Sequence, residues 1–461
     1  MMRRAPEDPT RTRRDAPPWR WLGTPSPPRY GRWTALFGLV MLAGLLVLIG
    51  GRVPTPALST EDGMATHAPV LAAVRVTPRS EAERETVLTR AIDVWSEHVA
   101  EPTLDVVLDP EGLAWLHTQG LAWQVLVPDV EAVAAAERER LEAVAVAEAQ
   151  RPPTPDQWFS EYRDLPAIHA YLEDLAALRP DLATVQTLGT SLQGRPLLAL
   201  RIHGQGGGQA GGQGESQHQP RRRMLIDSGL HAREWISMMV TTCVADRLVR
   251  GYADDPRLRR FVDEVELVVL PVSNPDGYEH SWHRDRYWRK NRRDEHGVDL
   301  NRNFGLAWGG EGSSDKPASQ VYRGSAPFSE PESQAIASAM EAERFDAHVD
   351  FHSYGQLLLH PWSHTKKPAA DHAYLHALAK DMGDAIRAQH GERYRLIAGA
   401  SLYPAAGTLM DWAYGTRGTP SFVIELRPRG GTGFVLPPEQ IRPTCDEGLA
   451  AVLALAEGLA P

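Results

Sequence analysis

Five apolar runs limit what this chain can fold into. "PLLALRIHG", "RMLIDSG", "VELVVLPV", "AHVDFHS" and "SFVIELR", between residues 196 and 427, have strand length and alternate with helical stretches such as "LPAIHAYLEDLAALRP". Runs that stay apolar on both faces belong to strands covered by helices on both sides. The fold expected for residues 157–461 is therefore α/β, a mixed central sheet flanked by helices. The Gly-rich stretch 204–220 between two of the runs reads as a surface loop.

A different order precedes this pattern. "VRV" (74–76) reads as a strand, and residues 80–92 as a helix with Ser80 at its N-cap and Glu83 three residues on. "DVWSEHV" and "TLDVVLD" read as strands, and 110–120 as a helix that starts at a proline and stops at a glycine. "WQVLV" (123–127) is another strand, followed by a long Ala- and Glu-rich helix over 129–149. The βαββαβ order makes residues 72–150 a small α+β open sandwich, with a Pro-rich linker at 150–157.

Further upstream, residues 1–32 are rich in Pro and Arg and read as a disordered basic tail. Residues 33–51 carry no charge and are long enough to span a bilayer, with Arg32 and Arg52 on either side. The Arg excess before them sets the N-terminus inside and everything after exported. A retained membrane anchor and a cleaved signal segment both fit, and residues 52–71 are a linker. The net charge of −10, spread along the chain, argues against a nucleic-acid partner. Only Cys243 and Cys445 are available for a bridge, and spacing does not decide whether they pair.

The chemistry gathers at strand ends. His231 follows the run "RMLIDSG", and Glu234, three residues on, opens a helix. His352 closes "AHVDFH", and Glu425 lies in "SFVIEL". In open α/β sheets, ligands collect at the carboxyl ends of strands. Catalytic zinc takes three protein ligands and keeps one position open, which His231, Glu234 and His352 would satisfy. Glu425 would remain as a carboxylate fit to take a proton from water at the metal. A second His-x-x-Glu pair, His98 and Glu101, has no such company and reads as chance. His360, His364 and His372 read as surface histidines.

"HAREWIS", "NPDGY", "WRKNRR", "DLNRNF", "HSYGQLLLHPW", "LYPAAGTLMDWAYG" and "FVIELR" together resemble the zinc metallocarboxypeptidases of the pancreatic carboxypeptidase A/B type, in order and spacing. The small unit before them looks like that family's inhibitory pro-segment. The resemblance implies one Zn²⁺ on His231, Glu234 and His352, with Glu425 as general base. It implies that Arg289 stabilises the oxyanion, and that Asn301, Arg302 and Tyr403 hold the terminal carboxylate of the substrate. Arg233 would contact the next residue inward, and Asp299 would orient His231. Met410, just before "DW", would form the floor of the pocket for the last side chain; an apolar floor implies apolar or aromatic C-terminal residues. Thr408 and Leu409 are larger than the family's usual residues there. The family's disulfide near "DLNRN" has no counterpart, which implies a local loss of rigidity.

The implied partners are peptide or protein C-termini, an activating protease cutting near Arg138, Arg140 or Arg151, and the membrane if residues 33–51 are retained. Two other readings share the fold: a relative that binds without hydrolysing, and a peptidase for cell-wall peptides. The first would have lost a ligand or the base, and this chain keeps all of them. Against the second stand Asn301, Arg302 and Tyr403, which suit an ordinary α-carboxylate.

Overall fold

The structure, a computed structural model, describes residues 70–96, 102–204, 221–401 and 403–459. The expectations for the basic tail, the apolar stretch 33–51, the linker up to 69, His98 and residues 205–220 lie outside these. Among the described residues no helix is long and apolar enough to cross a membrane.

The small unit runs β1 (Ala72–Thr77), α1 (Glu81–Arg90), β2 (Asp93–Val94), β3 (Leu104–Leu108), α2 (Pro110–Thr118), β4 (Ala122–Val127) and α3 (Val130–Gln150). Its sheet has the order β2-β3-β1-β4 and is antiparallel throughout. Ser80, Asp109 and Asp129 cap the three helices by accepting backbone N–H groups. Alternation along β1 and β3 splits the sheet. Val74, Val76, Leu104, Val106 and Leu108 pack in one cluster with Val87 of α1 and Leu116 of α2. Ala73 and Val107 join another cluster with Tyr287, Tyr354 and Phe434 of the larger part.

The larger part continues with α4 (Pro155–Trp158), α5 (Leu165–Leu178), β5 (Ala183–Thr190), β6 (Pro196–Ile202), β7 (Arg222–Ser228), α6 (Trp235–Gly251), α7 (Pro256–Glu264), β8 (Val265–Leu270) and α8 (Pro275–His283). It closes with α9 (Pro331–Ala342), β9 (Ala347–Ser353), β10 (Leu357–His360), α10 (His372–His390), β11 (Arg395–Ala398), α11 (Leu409–Arg417), β12 (Ser421–Leu426) and α12 (Ile441–Gly458). The eight strands lie in the order β11-β10-β12-β9-β7-β8-β6-β5. β12, β9, β7 and β8 are parallel to their neighbours within that run, and antiparallel strands flank them.

Two cores explain why the runs are apolar throughout. Leu198, Leu200, Met224, Ile226, Leu267 and Val269 face one core, and Leu197, Ala199, Leu225, Val268 and Leu270 face the other. Successive side chains of a strand point to opposite faces, so a strand buried twice needs apolar residues at every position. The expected mixed sheet between helices is the observed one.

Several local expectations need correction. Of "DVWSEHV" the structure describes residues 93–96, and among these the strand is Asp93–Val94; the Trp95 ring centroid lies 5.0 Å from that of Tyr287 and 5.5 Å from that of Phe434. The linker at 150–157 is non-helical only over 151–154; α3 ends at Gln150 and α4 begins at Pro155, capped reciprocally by Thr154 and Gln157. Strands β5, β10 and β11 were not anticipated; β5 is a partly exposed edge strand of mixed polarity, and β10 and the other edge, β11, are four residues each. His360 is fully buried rather than on the surface. The segment without the family's disulfide is pinned in another way. Asn291 exchanges hydrogen bonds with Val298, and Arg293 Nε donates to the buried Glu330 at 2.7 Å.

Candidate active site

Parallel β7, β9 and β12 end on one edge of the sheet, and the site is built there. His231 follows β7, and Glu234 is the N-terminal flank of α6. His352 lies in β9, and register sets Glu425 of β12 directly beside it. His231 Nδ1 is 2.7 Å from Glu234 Oε1, His352 Nδ1 is 2.9 Å from Glu234 Oε2, and the two Nδ1 atoms are 3.1 Å apart. These three side chains are the one group among the described residues with metal-ligand atoms all within 4.8 Å of one another.

The outer nitrogens of both rings face carboxylates. His231 Nε2 lies 3.3 Å from Asp299 Oδ1, and His352 Nε2 lies 2.8 Å from Asp350 Oδ2. Such a carboxylate fixes the ring's orientation and leaves the inner nitrogen to face a cation. Asp299 also accepts from Arg289 Nη2 at 3.0 Å and from Asn301 N at 3.0 Å. Burial opposes the charge on Asp299, but Arg289 and Arg302 hold its carboxyl far below the usual range. Burial likewise opposes ionisation of Glu234, and the histidines beside it outweigh that and hold it low.

Sequence reasoning missed Asp350. Burial and the neighbouring Asp227 push its carboxyl up to about 6. Asp227 in turn lies 2.7 Å from His348 Nε2, and His348 Nδ1 lies 2.7 Å from Ser421 Oγ. The signal for Asp350 was its spacing: two residues before His352 in one strand puts both on one face.

One cleft is lined by His231, Asn301, Arg302, His352, Tyr403, Thr408, Met410 and Glu425. Arg302 Nη2 donates to the Tyr403 hydroxyl at 2.6 Å, and Asn301 Oδ1 accepts from Leu409 N at 3.0 Å. Met410 clusters with Leu357, Leu359 and Val423, which makes that wall apolar. Thr408 caps α11 and lines the cleft, whereas Leu409 turns into the second core.

Arg233 is not among the residues lining that cleft. Its guanidinium lies over Phe434 and pairs with Asp93 of the small unit at 3.1 Å, while Nη2 donates to Val94 O at 3.1 Å. Residues 88–96 of the small unit share a cavity wall with Arg289, Gly312 and Tyr403, beside the cleft. The buried Glu137 of α3 accepts from the buried Arg286 at 2.6 Å, and Tyr354 donates to Asp105 at 2.9 Å. The small unit is thus fastened by polar pairs on three of its elements.

Comparison with known proteins agrees with this geometry. Residues 168–451 match the zinc carboxypeptidase family. Carboxypeptidase A4 of Mus musculus is 32% identical over 368 residues, 77% of this chain and 84% of that one. Carboxypeptidase B of Bos taurus is 32% identical over 385 residues, 80% of this chain and 87% of that one. The crystal structure of thrombin activatable fibrinolysis inhibitor aligns with a TM-score of 0.75 at 28% identity, over 85% of this chain and 99% of that chain. That share exceeds what residues 157–461 could fill, so the likeness reaches into the small unit.

Proposed function

The chain belongs to the zinc carboxypeptidase family, and from that premise we propose that it removes apolar or aromatic C-terminal residues from peptides and proteins, and is made as a pro-form. It is a metallocarboxypeptidase with zinc as cofactor. The observation that carries the finer reading is the convergence of His231, His352, Glu425, Asn301, Arg302, Tyr403 and Met410 on one cleft.

The donor set fits zinc. Tetrahedral zinc with Zn–N of about 2.0–2.1 Å separates its ligand atoms by roughly 3.3 Å, close to the 3.1 Å between the two Nδ1 atoms. His231, Glu234 and His352 would hold the ion, which when bound polarises the scissile carbonyl and makes water more acidic. Glu425, beside His352, takes the proton of the attacking water and returns it to the leaving amine. Arg289, held by Asp299, supplies positive charge where the oxyanion develops. Arg302 and Asn301 grip the substrate's terminal carboxylate, with Tyr403 closing over it. Arg302, which donates to the Tyr403 hydroxyl here, would turn that donor to the carboxylate, and this gives the cleft its preference for a chain end.

The pocket end is apolar, with Met410, Leu359 and Val423 around it. Blocked dipeptides ending in Phe, Lys or Glu test this. Chelator-sensitive release of Phe is expected to be fastest, and Met410→Asp is expected to shift preference toward Lys by about tenfold or more. Faster release of Lys by the unaltered chain would overturn the reading of Met410.

The pro-form rests on the seating of residues 88–96 beside the cleft and on Asp93 against Arg233. One solved relative that extends over the small unit is itself named as thrombin activatable. Arg138 and Arg140 lie within α3 and Arg151 at its C-cap, so an activating cut would fall in or just after that helix. Removing one partner of a buried pair strands the other, so Asp93→Ala is expected to raise hydrolysis by the uncut chain several-fold. An unchanged rate before trypsin treatment would remove Asp93 from the inhibitory contact. Export is supported by the bridge between Cys243 and Cys445, a bond that persists in oxidising compartments.

A further inference from the structure

A second histidine cluster sits where β10 hands over to α10. His360 ends β10; His372 opens α10, and His376 follows one turn later on the same face. Ring centroids are 5.1 Å apart for His360 and His372, 5.6 Å for His360 and His376, and 5.8 Å for His372 and His376. Three imidazoles on one tetrahedral metal, with metal–N near 2.0–2.1 Å, would place their centroids about 5.3 Å apart.

The nitrogen inventory points the same way. His360 Nδ1 lies 3.0 Å from Pro361 O and so donates to it, which leaves Nε2 as the lone-pair atom of that ring. His360 is fully buried, and its Nε2 has no hydrogen-bond partner among the described residues; nor does the buried Nδ1 of His372. Buried polar atoms are normally satisfied, so two orphan nitrogens within one cluster call for a ligand. Burial, and then His372 and His376, hold the His360 ring down to about 4, so it offers its lone pair without competition from a proton.

We propose that His360, His372 and His376 form a second metal site, separate from the catalytic one, for a divalent transition metal of the zinc, nickel or copper class. An all-imidazole donor set selects these ions over calcium or magnesium. The catalytic ligand atoms lie within 4.8 Å of one another and those of this cluster do not, so metal binding here requires a ring to turn, and His376 is the exposed one of the three. Its consequence lies in the connection it would clamp. Residues 361–371 join the two elements, Ser363 among them lines the cleft, and Asp411 holds the backbone N–H groups of Ser363 and His364 at 2.8 and 2.9 Å. A metal across both ends would fix that wall of the pocket.

Metal content decides the matter. The full chain, purified without a histidine tag, is equilibrated with excess zinc, desalted and analysed for zinc per chain. Two equivalents are expected, falling to one in H372A/H376A and to one in H231A/H352A. In the first variant His372 is half-buried and His376 exposed, and circular dichroism reports whether its fold is kept; H360Q provides an independent loss of one equivalent. One equivalent in the unaltered chain, or two retained in H372A/H376A, overturns the proposal. Loss of metal from the catalytic pair alone bears on the proposed function and leaves this site standing.

Discussion

Glu425→Gln is expected to lower kcat by about 10²–10⁴-fold while bound zinc stays at its normal content, because a positioned general base contributes on that order. The substitution keeps the size of the side chain and removes only its ability to take a proton. Position argues for this role before chemistry does. Glu425 pairs in register with His352 across the parallel β9–β12 ladder and with Leu357 across β10. Val423, two residues earlier, faces the same cleft, as strand alternation requires. Glu425 is 4% exposed and lines the cleft, so water that reaches it does so there. Steady-state hydrolysis of a blocked dipeptide, with zinc measured on the same preparation, separates the two effects. A variant that keeps its zinc and loses less than threefold in kcat would falsify the assignment of Glu425 as base. A variant that loses both zinc and activity would instead mean that the β9–β12 register positions the metal ligands through Glu425.

The grouping of the candidate site was legible because its residues lie at the ends of apolar runs. His352 and Glu425 sit in "AHVDFHS" and "SFVIELR", and a run buried on both faces tolerates a charged residue only where it serves something. What the sequence hides is pairing over distance. Asp93 and Arg233 are 140 residues apart, and nothing local marks Asp93 as the partner of a guanidinium beside the cleft. Asp350 reads as one more residue of a strand until the fold turns it to His352. The edge strand β5 carries mixed polarity because it is only partly covered, and the other edge, β11, is four residues long, too short to stand out as a run. His360 was misread for a related reason. Polar character suggests the surface, yet the residue closes a fully buried four-residue strand.

Cys243→Ala with Cys445→Ala is expected to cost about 5 kcal/mol of stability at 25 °C, the loop-closure entropy of a bridge spanning 202 residues. Spread over an unfolding entropy of about 2.1 cal/mol/K per residue for the larger part, that loss lowers Tm by roughly 8 °C. The bridge joins α6 to α12, two helices fully packed against each other. A Cβ on Gly448 would meet Val240 Cγ1 at 2.7 Å, so the helices already approach as closely as a missing side chain permits. The packing therefore forms without the bond, and the bond acts chiefly by limiting the unfolded chain. This has a kinetic corollary. Both sulfurs are fully buried, so a reductant should act only after the helices separate, and the native protein should resist it at temperatures well below Tm. Calorimetry of the double variant beside the unaltered chain provides the test. A shift under about 2 °C would mean that the apposition of α6 and α12 persists in the unfolded ensemble, leaving little entropy for the bridge to remove.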